Sequence, residues 1–305
     1  YMTPEKLGAE AKTLAAELGI DVTVYDKNQI EEMKMGAFLS VAKGAVDEPR
    51  VIVLRYNGGQ PGEAPVALVG KGVMFDSGGY SLKSKMATMH DDMGGAAAVI
   101  GAIRAIALQK LPVNVIAVVA ACENRVSGDA YVPGDILFSM NGKTIEMLNA
   151  DAEGRLTLAD AITYAIRKEG AGAIIDIATL TGAAKGAVGG RSAAVLANDD
   201  ELYEEVLEAS RISCEKIWRL PADKELFTVL QSEVADIKNS CPGNTMGGGT
   251  IVAGLFLQEF VESHPWVHVD MAPVNWAADG NAYCIHGATG YGVSLLYETV
   301  KVISR

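Results

Sequence analysis

Apolar positions recur along this chain with two periods. Between residues 4 and 18, Leu7, Ala11, Leu14, Ala15 and Leu18 repeat every three or four residues, which predicts a helix opening at Thr3-Pro4. Ile20–Tyr25 alternates as a strand does, and residues 28–35 predict a short helix. Val51–Tyr56 and Val66–Val69, short β-branched runs bounded by glycine and proline, predict strands, the first nearer an edge of the sheet. A loop of about 20 residues is expected after Gly70, a length usual in functional or disordered segments. Residues 94–108 predict a helix, small at its start and aliphatic later. Asn114–Ala121 is almost wholly apolar, as in a strand covered on both faces of a parallel sheet. A second long loop spans 123–142. Strand patterns follow at 144–148, 173–178, 193–197 and 266–270, with helices at 155–168, 200–212, 222–230, 248–262 and 290–303. Strand and helix alternate from about residue 50 to 200. This predicts an α/β fold, a mostly parallel doubly wound sheet flanked by helices, with ligands beyond the C-terminal strand ends. No repeat or linker divides the 305 residues, so one domain is expected, with residues 1–45 as a lead-in.

Charge narrows the function. With 26 basic and 38 acidic residues the net charge is −12, which disfavours phosphate backbones and anionic lipid as partners. No apolar run has the length of a membrane helix. Cys122, Cys214, Cys241 and Cys284 lack CxxC spacing and read as free thiols; with no recognisable signal peptide, a cytoplasmic location is expected. The chain opens on Tyr1, which suits a fragment or a processed product.

Two charged clusters stand out. In Asn149-Ala150-Asp151-Ala152-Glu153-Gly154-Arg155-Leu156, two carboxylates and a guanidinium precede an amphipathic run. Taken alone, acidic residues there read as helix capping. Upstream lie Lys71, Asp76, Lys83 and Asp92, in a glycine-rich stretch where capping explains nothing. If Asp76, Asp92, Asp151 and Glu153 converge, they need cations, and oxygen donors suit Mg²⁺, Mn²⁺ or, less typically, Zn²⁺. Four carboxylates can hold two divalent ions about 3.5–4 Å apart. His90, His264, His268 and His286 lack zinc-ligand spacing; His90, beside Asp91-Asp92, is either a neighbour of the site or a surface residue. The lysines are either simple ion-pair partners or functional, one as a neutral amine ligand and one as an oxyanion stabiliser; the arginine could hold an anion. Gly70-Lys71-Gly72 is no phosphate loop and Ser77 lacks a nucleophile elbow. Met86, Met89 and Met93 are either core filler or the lining of an apolar pocket.

At these residues the sequence resembles the leucyl aminopeptidase family, the two-metal cytosol aminopeptidases. The resemblance runs through Val69–Gly72, Phe75–Gly79, Ser81–Lys83, Asp92–Ala97, Cys122–Asn124, Tyr131–Asp135, Asn149–Leu156, Ala178–Gly182 and His286–Gly290. It covers the family's catalytic domain; the separate N-terminal domain usual in the family has no counterpart in these residues. The resemblance implies removal of N-terminal, preferentially leucine-like residues from peptides with a free amine. It implies one metal on Lys71, Asp76, Asp92 and Glu153, and a second, more exchangeable, on Asp76, Asp151 and Glu153. The ions would be Mn²⁺ or Zn²⁺, with Mg²⁺ a further candidate, and they would activate water. Lys83 would act on the peptide carbonyl, and Arg155 would hold a bicarbonate ion as general base. Met89, Thr179, Gly182 and Ala272 would form the side-chain pocket, and self-assembly to a homohexamer is expected. Ala150 in place of a common threonine, a slightly short segment between Lys83 and Asp92, and Pro273 depart from the pattern; the last two bear on the pocket. The alternatives are a non-catalytic, DNA-binding architectural role, known in some family members, and a two-metal phosphoesterase. The acidity and the complete ligand set argue against the former.

Overall fold

The computed structural model describes residues 2–279 and 285–305. The strands in chain order are β1 (Asp21–Tyr25), β2 (Arg50–Asn57), β3 (Val66–Asp76), β4 (Asn114–Asn124), β5 (Ile136–Phe138), β6 (Thr144–Glu146), β7 (Ala173–Ala178), β8 (Ala193–Ala197), β9 (Ile217–Arg219), β10 (Ile237–Lys238), β11 (Trp266–Asp270), β12 (Trp276–Ala277) and β13 (Gly287–Ala288). The helices are α1 (Pro4–Leu18), α2 (Lys27–Glu32), α3 (Gly36–Ala42), α4 (Gly94–Gln109), α5 (Gly154–Arg167), α6 (Ala183–Val188), α7 (Asp200–Ser213), α8 (Gly249–Gln258) and α9 (Val293–Ile303).

Eight strands form the main sheet in the order β1-β2-β4-β3-β7-β11-β8-β9. Its centre, β4-β3-β7-β11, is parallel throughout, while β1, β2 and β8 join antiparallel. The sheet is therefore mostly parallel, as expected, with antiparallel additions. Successive residues of β2 show why its strands read as unbroken apolar runs. Val51 and Val53 enter one core with α3, α5 and α8, whereas Ile52 and Leu54 enter the other with α1, α4, α7 and α9. Each fully buried aliphatic side chain contributes about 1.5–3 kcal/mol, so two covered faces stiffen the strand ends that carry the charged residues.

Several expectations are corrected. The long loop was expected after Gly70, but β3 runs on to Asp76, so Lys71 and Asp76 stand on a strand. Gly70 pairs with both β4 and β7, and α4 packs so close that a Cβ on it would lie 2.5 Å from the Gly95 carbonyl oxygen; Gly72 pairs with Ala121 of β4. The strand expected at 144–148 is only Thr144–Glu146 and belongs to a separate sheet, β10-β6-β5. The second long loop contains β5. The helix expected at 28–35 is α2, which ends at Glu32, and a separate helix, α3, follows from Gly36. The lead-in contributes β1 to the main sheet. No helix among the described residues is long and apolar enough to cross a membrane. Cys122, Cys214 and Cys241 are free thiols; Cys284 lies outside the described residues.

Candidate active site

Strand alternation should place Lys71 and Asp76, five residues apart, on opposite faces of the sheet. A register irregularity prevents this. Val73 pairs with Cys122 and Asp76 with Asn124, so three steps on β3 match two on β4. This bulge turns Asp76 to the side of Lys71, at the C-terminal end of the strand. The chain then makes a tight loop in which Ser81 N donates to Gly78 O (3.1 Å) and Lys83 N to Ser77 O (3.0 Å), bringing Lys83 back over the strand end. Asp92 precedes α4, and its carbonyl accepts from Val73 N (3.3 Å).

The segment carrying Asp151 and Glu153 arrives from the small sheet. Buried Asn239 stitches it down: its Oδ1 accepts from Leu148 N (2.8 Å) and its Nδ2 donates to Asn149 O (2.8 Å). Asn149 Oδ1 in turn accepts from Asp151 N (2.9 Å). Glu153 occupies the N-cap position of α5 but makes no side-chain cap hydrogen bond. The capping reading of this motif is thus corrected: the carboxylate points to Lys71 instead. Gly154 is required beside it, since a Cβ there would meet Lys71 Cε at 2.6 Å.

The two clusters meet. Lys71 Nζ lies 2.8 Å from carboxylate oxygens of both Asp92 and Glu153 and donates to Thr179 O (3.1 Å). Lys83 Nζ lies 2.7 Å from Asp76 Oδ2 and 2.5 Å from Asp151 Oδ1. One ligand atom each from Asp76, Asp151 and Glu153 falls within 4.8 Å of the others. Lys71, Asp76, Asp92 and Glu153 are all buried. Four carboxylates against two ammonium groups leave an excess of two negative charges when all are ionised.

The electrostatics follow from burial. Burial is the largest influence on Asp92, Asp151 and Glu153 and raises all three carboxyls, with Asp76 adding repulsion. Burial alone would lower Lys71 and Lys83, but the carboxylates outweigh it and hold both ammonium groups above their ordinary range. The ammonium of Lys83, wedged between Asp76 and Asp151, marks where positive charge is needed. Glu153 Oε2 is buried with no hydrogen-bond partner among the described residues. Leaving such a group unsatisfied costs about 1–3 kcal/mol or more for a charge. Hard oxygen donors, an excess negative charge and a free buried oxygen fit a site for divalent cations.

Arg155, 8% exposed, sits next to this cluster on the first turn of α5. Its Nη1 donates to Asn239 O (2.8 Å), while its Nε has no partner among the described residues. Burial pulls the guanidinium down to about 10, against the pull of Glu153 and Asp270, so it remains charged at neutral pH. It borders a cavity of about 320 Å³ lined also by Ser240, Cys241, Asn244 and the start of α8, with no acidic residue among the described lining residues. Such a space suits a small anion. Gly247 and Gly248, both at positive φ, provide the tight entry into α8 expected of the glycine run.

The expected pocket residues come from three segments: the turn before α4, the end of β7 leading to α6, and the end of β11. Thr179 joins the cluster itself, its hydroxyl donating to Asp92 Oδ1 (2.7 Å). Ala272 N donates to Asp270 Oδ1 (3.2 Å), which also accepts from Leu180 N (3.1 Å), tying the ends of β7 and β11 together. Met89 lies in the 3₁₀ turn Met89–Asp91, and Gly182 precedes α6; among the described residues no hydrogen bond joins either to the carboxylates. His90 is exposed, edge-on to Trp276 at 5.6 Å between ring centroids. Met93 packs against the core. Asn124, Asn239 and Asp270 were not assigned from sequence: a single Asn or Asp at a strand end carries no spacing signal.

Comparisons with known proteins identify the family. The family described as "Cytosol aminopeptidase family, catalytic domain" matches residues 1–297. A probable cytosol aminopeptidase of Clostridium perfringens is 54% identical over 97% of this chain and 60% of its own length. Those of Clostridium tetani and a Synechococcus species are 49% and 48% identical, over 99% and 98% of this chain and 62% and 59% of theirs. The chain thus spans about 60% of the length of these relatives. It belongs to the cytosol aminopeptidase family, aligned with the catalytic domain.

Proposed function

We propose that this chain is the catalytic part of a metal-dependent aminopeptidase that removes N-terminal, preferentially apolar residues from peptides in the cytoplasm. The observation that carries the reading is the convergence of Asp76, Asp151 and Glu153 on one point, with Lys71 and Lys83 paired among them. Lys71, Asp76, Asp92 and Glu153 would hold one divalent ion; Asp76, Asp151 and Glu153, with the Asp151 carbonyl, would hold another. Mn²⁺ and Zn²⁺ are the first candidates, and Mg²⁺ suits the oxygen donors. Ions so held supply Lewis acidity, lowering the pKa of water and polarising a carbonyl. Lys71 would then serve as a neutral amine; without a cation, the surrounding carboxylates keep it protonated.

Lys83 is the only one of these cations on a loop over the strand end, with 21% of its side chain exposed, against 3% for Lys71. It is therefore the group able to donate to a substrate carbonyl oxygen and to stabilise negative charge as it develops there. Arg155, with a free Nε and a small cavity beside it, would hold a bicarbonate ion as proton acceptor. A substrate's free α-amine would be drawn to the acidic end of the site, which restricts cleavage to the first residue. Thr179, Ala272, Met89 and Gly182 remain the proposed walls of the side-chain pocket, and a homohexamer the proposed assembly. The whole of residues 1–305 would act as one catalytic domain.

The test is a substrate panel with Mn²⁺ present. Leucine p-nitroanilide should be hydrolysed, whereas its N-acetyl derivative and p-nitrophenyl phosphate should not. Hydrolysis of the acetylated amide or of the phosphate ester, without that of the free amine, would replace this reading.

A further inference from the structure

Asn124, the last residue of β4, is fully buried and takes no part in the chemistry described above. Its single side-chain amide joins the two halves of the site. Nδ2 donates to Asp76 Oδ1 (2.8 Å) on β3 and to Ala150 O (2.9 Å), immediately before Asp151. Its backbone carbonyl accepts from Ser77 N (3.0 Å) and Ser77 Oγ (2.8 Å), fixing the start of the loop that returns Lys83. Gly78 N is the second donor to Asp76 Oδ1 (2.8 Å). Both lone pairs of that oxygen are thereby used, and Oδ2 alone is left to face Lys83. An NH₂ group has two protons, and here each has one acceptor. Neither a hydroxyl nor a carboxylate of the same size could serve both.

Room for this arrangement is made by Gly79: a Cβ there would lie 3.0 Å from Asn124 Oδ1 and 2.9 Å from Ala150 Cβ. That Oδ1 is itself without a hydrogen-bond partner among the described residues. A buried amide held with its acceptor unsatisfied is placed for what its donor does.

We infer that Asn124 is a positioning residue: it turns the Asp76 carboxylate so that Oδ2 alone faces the cation site, and it locks the Asp151 segment in register with β3. The inference rests on the metal-dependent reading above. Removing the amide frees Asp76 to rotate and loosens Asp151 against it, so cation affinity falls before substrate binding does. Groups that orient metal ligands typically account for about 10–100-fold in metal affinity.

The test uses chelator-stripped protein titrated calorimetrically with Mn²⁺, together with kcat and KM for leucine p-nitroanilide and the melting temperature. Asn124→Leu, of similar size and uncharged, is expected to lose about 10–100-fold in Mn²⁺ affinity. Its kcat should fall at limiting Mn²⁺ and recover in part at high Mn²⁺, with KM little changed. Asn124→Ser, which keeps one donor, is expected to lose less. Glu169→Gln, remote from the site, controls for destabilisation alone and should keep the Mn²⁺ affinity whatever its melting temperature. A folded Asn124→Leu with wild-type Mn²⁺ affinity and kcat would overturn the inference. If Asn124→Leu fails to fold, Asn124→Ser with unaltered affinity would do the same. Loss of affinity in Glu169→Gln equal to that in Asn124→Leu would also overturn it, because stability alone would then explain both. Absence of Mn²⁺ binding by the wild type would instead refute the metal-dependent reading, and this inference with it.

Discussion

Two charged networks in this molecule are built to opposite plans. In the first, Arg55 on β2 makes a bidentate contact with Glu169, both hydrogen bonds 2.6 Å, and donates to Thr23 on β1 (2.8 Å). Tyr164 on α5 donates to the same Glu169 (2.7 Å). One acid meets one base. Burial alone would raise Glu169, but hydrogen bonds from Arg55 and Tyr164 outweigh it and hold the carboxyl below its ordinary range. In the second network, at the ends of β3 and β4, four acids surround two lysines, three of those acids are pushed up, and a Glu153 oxygen has no partner among the described residues. The first network closes on itself and ties β1 and β2 to α5. The second carries an excess of acid and a buried oxygen with no partner among the described residues, which separates a candidate site from a structural ion pair.

Substitutions should divide along the same line. The largest expected effect is on activity: Lys83→Ala should keep the fold and lose about 10²–10³-fold in kcat, the usual range for a donor to a developing oxyanion. Arg155→Ala should also lose most activity, with partial rescue by added bicarbonate; steady-state assays check both. Next, Asp76→Ala should abolish binding of at least one metal ion, read by elemental analysis after dialysis, while circular dichroism stays native.

In the closed network the effect moves to stability. Glu169→Gln should cost about 1–3 kcal/mol in denaturant unfolding and leave kcat unaltered. Smallest is a pH effect on that same difference. Because the folded-state pKa of Glu169 is lowered, its contribution is present above the ordinary carboxylate value of 4.5 and is lost as pH falls through the folded value. The stability gap between wild type and Glu169→Gln should therefore be full at pH 7 and shrink in acid below 4.5, as followed by unfolding at a series of pH values.

How much of this was legible in the sequence depends on which forces set each feature. Strands such as β4 and β7 were readable because burial on both faces makes every position apolar. The continuation of β3 through Gly70-Lys71-Gly72 was not, because pairing with β4, joined at Gly70 by β7, overrides the weak local preference of those residues. The bulge that turns Asp76 has no local signature at all; it exists in the pairing with Cys122 and Asn124. Lys71, Asp76, Lys83 and Asp92 announced themselves as a cluster that no capping role explains, whereas Asp151 and Glu153 taken alone read as helix capping. Their assignment to particular ions came from the resemblance, since spacing alone does not show which carboxylates meet. The residues that hold the charged groups, Asn124 and Asn239, act through hydrogen bonds 48 and 84 residues away in sequence, to Asp76 and Arg155 respectively, and leave no periodic trace.

The most direct test of the central claim is a metal titration. Protein stripped with chelator is titrated with Mn²⁺, and leucine p-nitroanilide hydrolysis and bound metal are followed together. The account predicts that activity is absent without metal, returns with Mn²⁺ and levels off as occupancy approaches two ions per chain. Full activity in the metal-free protein, or a folded protein that binds no Mn²⁺, would contradict it.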